Sequence, residues 1–234
     1  MSSRIRLRFS KTGKAKFISH LDLVSTMRRA LLRAGIRLDY SEGFNPHPYL
    51  SVALPLQVGC GSVCELMDFG SLEDITDDGA RPEGCEVCHA GKWVSYAERI
   101  NAALPEGLTV QEVYAPERKF KEIVWLEVNG ELHYRAAPRD IAGKVTCTLS
   151  SKSIIIPKRT KRGLSDMDIA PQIRSVEVVS GDSINLIARI SAQNPTITPG
   201  DLIAALTAVN RDISPDFAVF NRVQVFDRDM SVFR

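Results

Sequence analysis

Arg4-Ile5-Arg6-Leu7-Arg8-Phe9 alternates charged and apolar residues with a period of two. Side chains on a strand point alternately to its two faces, so this stretch reads as a strand with Ile5, Leu7 and Phe9 on a core and three arginines toward solvent. A helix follows over His20 to Ala34, with Leu21, Val24, Met27, Leu31 and Ala34 at helical spacing. Ser19 stands at its N-cap position, and Gly35 stands just past its end, where a left-handed residue commonly stops a helix. Arg28, Arg29 and Arg33 fall off the apolar stripe and are expected in water. Strand material then covers Ile36 to Tyr40 and Leu50 to Leu56, split by a Pro-rich loop, and after it Cys64 to Phe69. Ser95 to Leu104 reads as a helix and Leu108 to Tyr114 as a strand.

The order strand, helix, strand, strand, helix, strand is that of a ferredoxin-like unit. Beyond a junction at Pro116 to Lys121, Ile123 to Val128 and Glu131 to Arg135 flank Asn129-Gly130, a dipeptide that predicts a hairpin turn. Further strands fit Ser153 to Ile156, Ser175 to Val179, Ile184 to Ile190 and Phe217 to Phe226, with a helix over Pro199 to Val209. The expected fold is therefore α+β, with two ferredoxin-like βαββαβ units, the second irregular. The expected domains are 1–117, carrying a Cys-containing insertion at about 74–92, and 118–234.

At 234 residues and 44% apolar content, the chain can bury a normal core. It has no run of about 18 apolar residues to span a bilayer, and the start Met1-Ser2-Ser3-Arg4 goes directly into a charged pattern. No membrane association and a cytoplasmic location are expected. The formal charge of +2 hides a strong asymmetry. Residues 1–50 carry 10 basic against 3 acidic groups, 60–117 carry 3 against 12, and 118–174 carry 12 against 6. Basic blocks attract polyanions, although a charged face is also how a protein stays solvated.

Ser10-Lys11-Thr12-Gly13-Lys14-Ala15-Lys16 combines small residues with three lysines just before a helix, which suits phosphate contact but lacks P-loop spacing. Ser19-His20-Leu21-Asp22 places a hydroxyl, an imidazole and a carboxylate together, yet S-x-x-D is also a capping pattern. The same pattern recurs at Ser95-x-x-Glu98 and Thr198-x-x-Asp201, so capping accounts better for Asp22. His20 is not needed for capping. In Ser41-Glu42-Gly43-Phe44-Asn45-Pro46-His47-Pro48-Tyr49, flanking prolines stiffen the loop that presents His47, while Phe44 and Tyr49 are either stacking faces for bases or core contacts. His20 and His47 could serve as general acid and base if they met.

Cys85-Glu86-Val87-Cys88-His89 matches a haem-attachment pattern, which an export-free chain would not use. Joined to Cys60 and Cys64, the pair Cys85 and Cys88, with His89 as substitute, offers four soft ligands suited to a structural zinc. Buried thiols are the competing reading. The sequence demands no cofactor, and zinc is its one candidate. A second basic run, Lys158, Arg159, Lys161 and Arg162, reads as a phosphate grip or a solvated hairpin tip.

The run Arg6-Leu7-Arg8-Phe9-Ser10-Lys11-Thr12-Gly13-Lys14-Ala15-Lys16-Phe17-Ile18-Ser19-His20-Leu21-Asp22-Leu23, followed by Gly43-Phe44-Asn45-Pro46-His47-Pro48, closely resembles the radical-SAM-linked protein family. That is a bacterial domain family encoded beside, or fused to, cobalamin-binding radical SAM proteins. Asn101-Ala102-Ala103-Leu104-Pro105-Glu106-Gly107-Leu108 and the region from Lys161-Arg162-Gly163 to Asp168-Ile169 look like further landmarks, so the resemblance covers nearly the whole chain. It implies a radical SAM protein as partner, while this chain has no C-x3-C-x2-C run of its own. Resemblance, charge and loop chemistry together lead to an expected RNA-binding accessory. Its phosphate contacts would be Lys11, Lys14, Lys16, Arg28, Asn45, Lys158, Arg159, Lys161 and Arg162. An RNA-acting enzyme using His20 and His47, and a protein-interaction module built on the acidic segment, are the alternatives.

Overall fold

A computed structural model of the chain describes residues 3–73, 90–136, 139–160, 163–181 and 183–234. Its contacts divide the chain into two compact units, Met1–Lys119 with Arg234, and Phe120–Phe233. The fold class is α+β.

In the first unit, β1 (Ser3–Lys11) lies between β3 (Gly61–Ser71) and β4 (Leu108–Tyr114), and β2 (Leu50–Val52) pairs with the outer edge of β3. All three pairings are antiparallel, which gives the order β4-β1-β3-β2. With α1 (His20–Arg33) after β1 and α2 (Ala90–Asn101) after β3, this is the ferredoxin-like arrangement. Ile5, Leu7 and Phe9 on one face of β1 are fully buried with Leu23, Met27 and Leu31 of α1 and Tyr96 and Ile100 of α2. Each such side chain contributes about 1.5–3 kcal/mol by leaving water.

The opposite face of β1 departs from expectation. Only Arg4 is exposed there, while Arg6 is completely buried and Arg8 half-buried. Cross-strand carboxylates explain the difference. Arg6 sits in register with Asp68 and binds it through two nitrogens, at 2.7 and 2.8 Å, and Arg8 sits opposite Glu112 at 3.1 Å. The α1 stripe also shifts: Leu23, Met27, Ala30 and Leu31 are buried, whereas Leu21 is 77% exposed. Ile36 to Tyr40 forms isolated bridges rather than a strand, and Ser95 and Glu98 fall inside α2, so they do not cap it.

The second unit repeats the pattern with an addition. β5 (Trp125–His133) lies between β10 (Phe217–Phe226) and β9 (Ile184–Ser191), and β8 (Ile173–Ser180) pairs with β9. These pairings are antiparallel too, so the order β10-β5-β9-β8 matches β4-β1-β3-β2. α3 (Ile141–Leu149) and α4 (Pro199–Val209) supply the helices. The irregularity is a hairpin between α3 and β8, made of β6 (Ile155–Thr160) and β7 (Gly163–Asp168).

Asn129-Gly130 makes no turn, because β5 runs straight through it. Leu126, Val128, Gly130 and Leu132 all point inward, and Gly130 faces Phe220 across the ladder. A Cβ on Gly130 would stand 2.4 Å from the Phe220 ring, so the glycine makes room for an aromatic rather than reversing the chain.

At the base of the hairpin, Asp168 Oδ1 accepts the backbone N–H groups of Ile154 (2.8 Å) and Ala170 (3.0 Å). The Ile154 and Ala170 amides and the Ser153 hydroxyl hold its carboxyl below the usual carboxylate range. A depressed folded-state pKa contributes stability above the ordinary carboxyl pKa that is lost as pH falls through the folded value. The chain should therefore be more resistant to urea than Asp168→Ala at neutral pH. The difference in unfolding midpoints should shrink below about pH 3.8. A difference that stays constant down to that range and below would count against the carboxylate as its source.

Candidate nucleic-acid interface

The lysine loop is a short 3-10 turn, Gly13–Phe17, between β1 and α1. Thr12 N–H donates to the Gly107 carbonyl at 2.8 Å, and Gly59 N–H donates to the Lys16 carbonyl at 2.9 Å, so the loop backbone is pinned from both sides. Lys11 turns inward. It is 1% exposed, and its ammonium donates to the carbonyls of Ile18 (3.0 Å) and Lys16 (3.4 Å). This corrects the expectation that Lys11 contacts phosphate: its charge organises the loop from inside. Lys14 is exposed and Lys16 half-exposed, with the Lys16 ammonium 5.2 Å above the Phe17 ring. Phe17 itself is 62% exposed.

Ser19 and Asp22 cap α1. Asp22 N–H donates to Ser19 Oγ at 3.2 Å, and the Ser19 hydroxyl donates to Asp22 Oδ2 at 2.7 Å. Thr198 and Asp201 form a full capping box on α4. His20 opens α1 half-buried, with Nδ1 enclosed and lacking a hydrogen-bond partner among the described residues.

The Pro-rich loop is closed by Ser41 N–H to the His47 carbonyl (2.8 Å) and His47 N–H to Ser41 Oγ (3.0 Å). Its tip turns through Gly43, at φ 122°, and presents Phe44 entirely to solvent. Asn45 and His47 are exposed, as is half of Tyr49, so none of the loop's aromatics is a core contact.

Register separates the two clusters. Lys11 lies opposite Ser62, while Asp39 and Tyr49, which bracket the Pro-rich loop, bond to Gly70. Gly70 is eight steps along β3 from Ser62, about 27 Å at about 3.3–3.4 Å per residue. His20 belongs to the Ser62 end and His47 to the Gly70 end, so the strand order does not bring them together as acid and base.

A third cluster was not singled out from the sequence as a binding group. α1 and the end of α2 line an open cavity of about 680 Å³, with Arg29, Arg33 and Arg99 on its walls, Thr26 beside them and an apolar side running from Ala102 to Pro105. Arg29 and Arg33 are four apart on α1, hence on one face, which is the signal a reader could have used. Arg28, one position off, is exposed but lies outside the cavity lining.

Of the second basic block, Lys158 is engaged rather than available. Its ammonium donates to Asp201 Oδ2 at 2.9 Å and to the Thr196 carbonyl at 2.6 Å, which ties β6 to the start of α4. Arg159 lies on β6, and Lys161, Arg162 and the Arg159 side chain fall outside the described residues. Cys60 and Cys64 are buried, with Cys64 Sγ 3.8 Å from Ser62 Oγ. Cys85, Cys88 and His89, and residues 74–89 of the expected insertion, also lie outside the described residues. Among the described residues, no group of three or more His, Cys, Asp or Glu is placed to hold a metal, and no helix is long and apolar enough to cross a membrane.

A family model described as an uncharacterized protein conserved in bacteria, DUF2344, matches residues 4–83 and 85–199. No curated protein matches the sequence. Among solved structures, a chain in the crystal structure of a Cbf5-Nop10-Gar1 complex is similar at 12% identity and a TM-score of 0.47, with 94% of this chain and 48% of that chain covered. The chain thus spans about half of that neighbour's length. A second neighbour is an unknown protein from Galdieria sulphuraria, at 13% identity and a TM-score of 0.25, with 95% and 99% covered. At these scores neither likeness bears on function.

Proposed function

The chain belongs to the bacterial DUF2344 family, and we propose that it is an RNA-binding accessory protein working with a radical SAM enzyme in RNA modification or processing. The observation that carries the RNA part is the pinned loop that offers Lys14 and Lys16 beside the exposed ring of Phe17. Ammonium groups there neutralise phosphates without regard to sequence, and the ring gives an unstacked base a face to lie on. Phe44, Asn45 and His47 on the Pro-rich loop add a second aromatic and polar contact for a strand long enough to reach it. The partner class rests on the resemblance of the two N-terminal motifs to radical-SAM-linked proteins. A reaction by His20 and His47 has no support in the strand register.

One observation favours the protein-interaction reading. Leu21 is 77% exposed and Phe17 62% exposed, at the two sides of one helix start, so an apolar contact surface exists there as well.

The test measures binding of a mixed-sequence single-stranded RNA as a function of salt. Each lost phosphate contact on a single strand should flatten the log–log slope by about 0.7. Lys14→Ala with Lys16→Ala is therefore expected to weaken binding and flatten the slope by about 1.4. Unchanged affinity and slope would remove the RNA reading. Affinity purification of the tagged chain from its own cells is the second arm. A radical SAM protein recovered with bound RNA is the expected result, and recovery of that partner without RNA would favour the interaction module.

A further inference from the structure

The arginine-lined cavity between α1 and α2 has features that a solvated basic face does not need. Arg99 is held rigidly: its Nε and Nη2 both donate to the Ala34 carbonyl, at 2.9 and 2.6 Å, and its guanidinium lies 5.2 Å from the Tyr96 ring centroid. Gly35, at φ 72°, ends α1 and leaves space for that guanidinium, since a Cβ there would come within 3.3 Å of Arg99 Nη2. One cation suffices to offset the carbonyl end of a helix, and Arg99 supplies it. Arg29 and Arg33 are additional. They point into the same space, repel each other at their spacing of four, and have no hydrogen-bond or ion-pair partner among the described residues. Among the described residues no carboxylate lines the cavity. Asp22, one turn before Thr26, is engaged by Ser19, and Glu106 lies next to the wall residue Pro105 without lining the cavity.

We propose that this cavity binds the phosphate monoester of a nucleotide-sized ligand. Guanidinium groups form paired hydrogen bonds to phosphate oxygens, and a monoester, at about −1.5 to −2 charge, matches three converging cations better than a singly charged diester does. The volume of about 680 Å³ lies within the range of small-ligand sites. The apolar side from Ala102 to Pro105 gives a base or ribose a surface to cover, and Thr26 adds a hydroxyl. The monoester can come from a free nucleotide or from the 5′ end of an RNA. Only the second source rests on the RNA-binding reading above.

Calorimetric titration of the full chain with AMP, with adenosine, and with one RNA decamer bearing either a 5′-phosphate or a 5′-hydroxyl tests the proposal. Measurable binding of AMP but not adenosine assigns the free nucleotide. About tenfold tighter binding of the phosphorylated decamer assigns the RNA end. Either preference should vanish in Arg29→Gln with Arg33→Gln, two exposed positions whose replacement should leave the thermal unfolding curve unchanged. Absence of both preferences, or a preference that survives in the double variant, overturns the proposal. Equal binding of the two decamers that still depends on Lys14 and Lys16, with no preference for AMP over adenosine, would remove the cavity site and leave the RNA reading standing. AMP binding without any RNA binding would do the reverse.

Discussion

Asp68→Ala is expected to destabilise the chain by about 3–5 kcal/mol, because it strips the counter-charge from a guanidinium that is fully buried. Arg6 reaches Asp68 with Nε and Nη2, and its other contacts include the Arg118 carbonyl at 2.8 Å and the main-chain oxygen of Arg234 at 3.2 Å. The Arg118 carbonyl accepts an N–H without replacing the two charge-assisted bonds to Asp68, so the loss is that of a buried guanidinium parted from its bidentate carboxylate. Replacing both partners by apolar residues, as in Arg6→Met with Asp68→Leu, should be far milder, since it removes the desolvation cost together with the attraction. Urea unfolding of the two variants measures the contrast. If Asp68→Ala shifts stability by no more than about 0.5 kcal/mol, as an ordinary surface substitution does, the pair is not a buried interaction in solution.

The same pair marks where the sequence stops being readable. Period-two alternation locates β1, and Ile5, Leu7 and Phe9 do fill the core. Alternation alone does not tell a solvent face from one covered by paired charges. The deciding information is Asp68, 62 residues away. Lys11 is hidden for a similar reason: nothing local says that an ammonium will turn toward the carbonyls of Lys16 and Ile18 rather than outward.

Asn129-Gly130 shows a strong local rule losing to a longer pattern. Leu126, Val128 and Leu132 keep one inward register only if residue 130 is also inward, and the polar set Glu127, Asn129 and Glu131 keeps the other face. Counted over nine residues, the alternation outweighs a two-residue turn signal, and the opposing Phe220 supplies the reason for the glycine. The fold class was readable because helix and strand periods repeat over whole elements. Of the cavity arginines, the shared face of Arg29 and Arg33 was readable from their spacing, but their meeting with Arg99 was not, since it comes only through the packing of two helices. The Lys14, Lys16 and Phe17 surface was partly readable, its lysines from composition and spacing, but the exposure of Phe17 and Leu21 required coordinates.

Gly107→Ala should be nearly as damaging as the loss of Asp68, and it connects the fold to the proposed RNA surface. Gly107 adopts φ 88°, a backbone region in which a side chain is strained. A Cβ there would also meet the Thr12 carbonyl oxygen at 2.6 Å and Ala15 Cβ at 2.9 Å. Backbone strain of this kind costs about 1–3 kcal/mol, and the overlap adds about 1–3 kcal/mol, since one obstacle is backbone and cannot rotate away. The chain can relieve the overlap only by moving the lysine loop, which also strains the 2.8 Å bond from Thr12 N–H to Gly107. Gly107→Ala should therefore lose stability and RNA affinity together, although residue 107 carries no charge in either form. Gly13→Ala is the matched comparison. Its φ of 53° is also left-handed, but among the described residues no atom beyond its chain neighbours lies within 4 Å of the added methyl, so the expected cost is the backbone preference alone, about 1–2 kcal/mol. Urea unfolding and RNA titration of both variants separate the cases. If Gly107→Ala behaves like Gly13→Ala in both measurements, the packing of residue 107 does not set the position of Lys14 and Lys16.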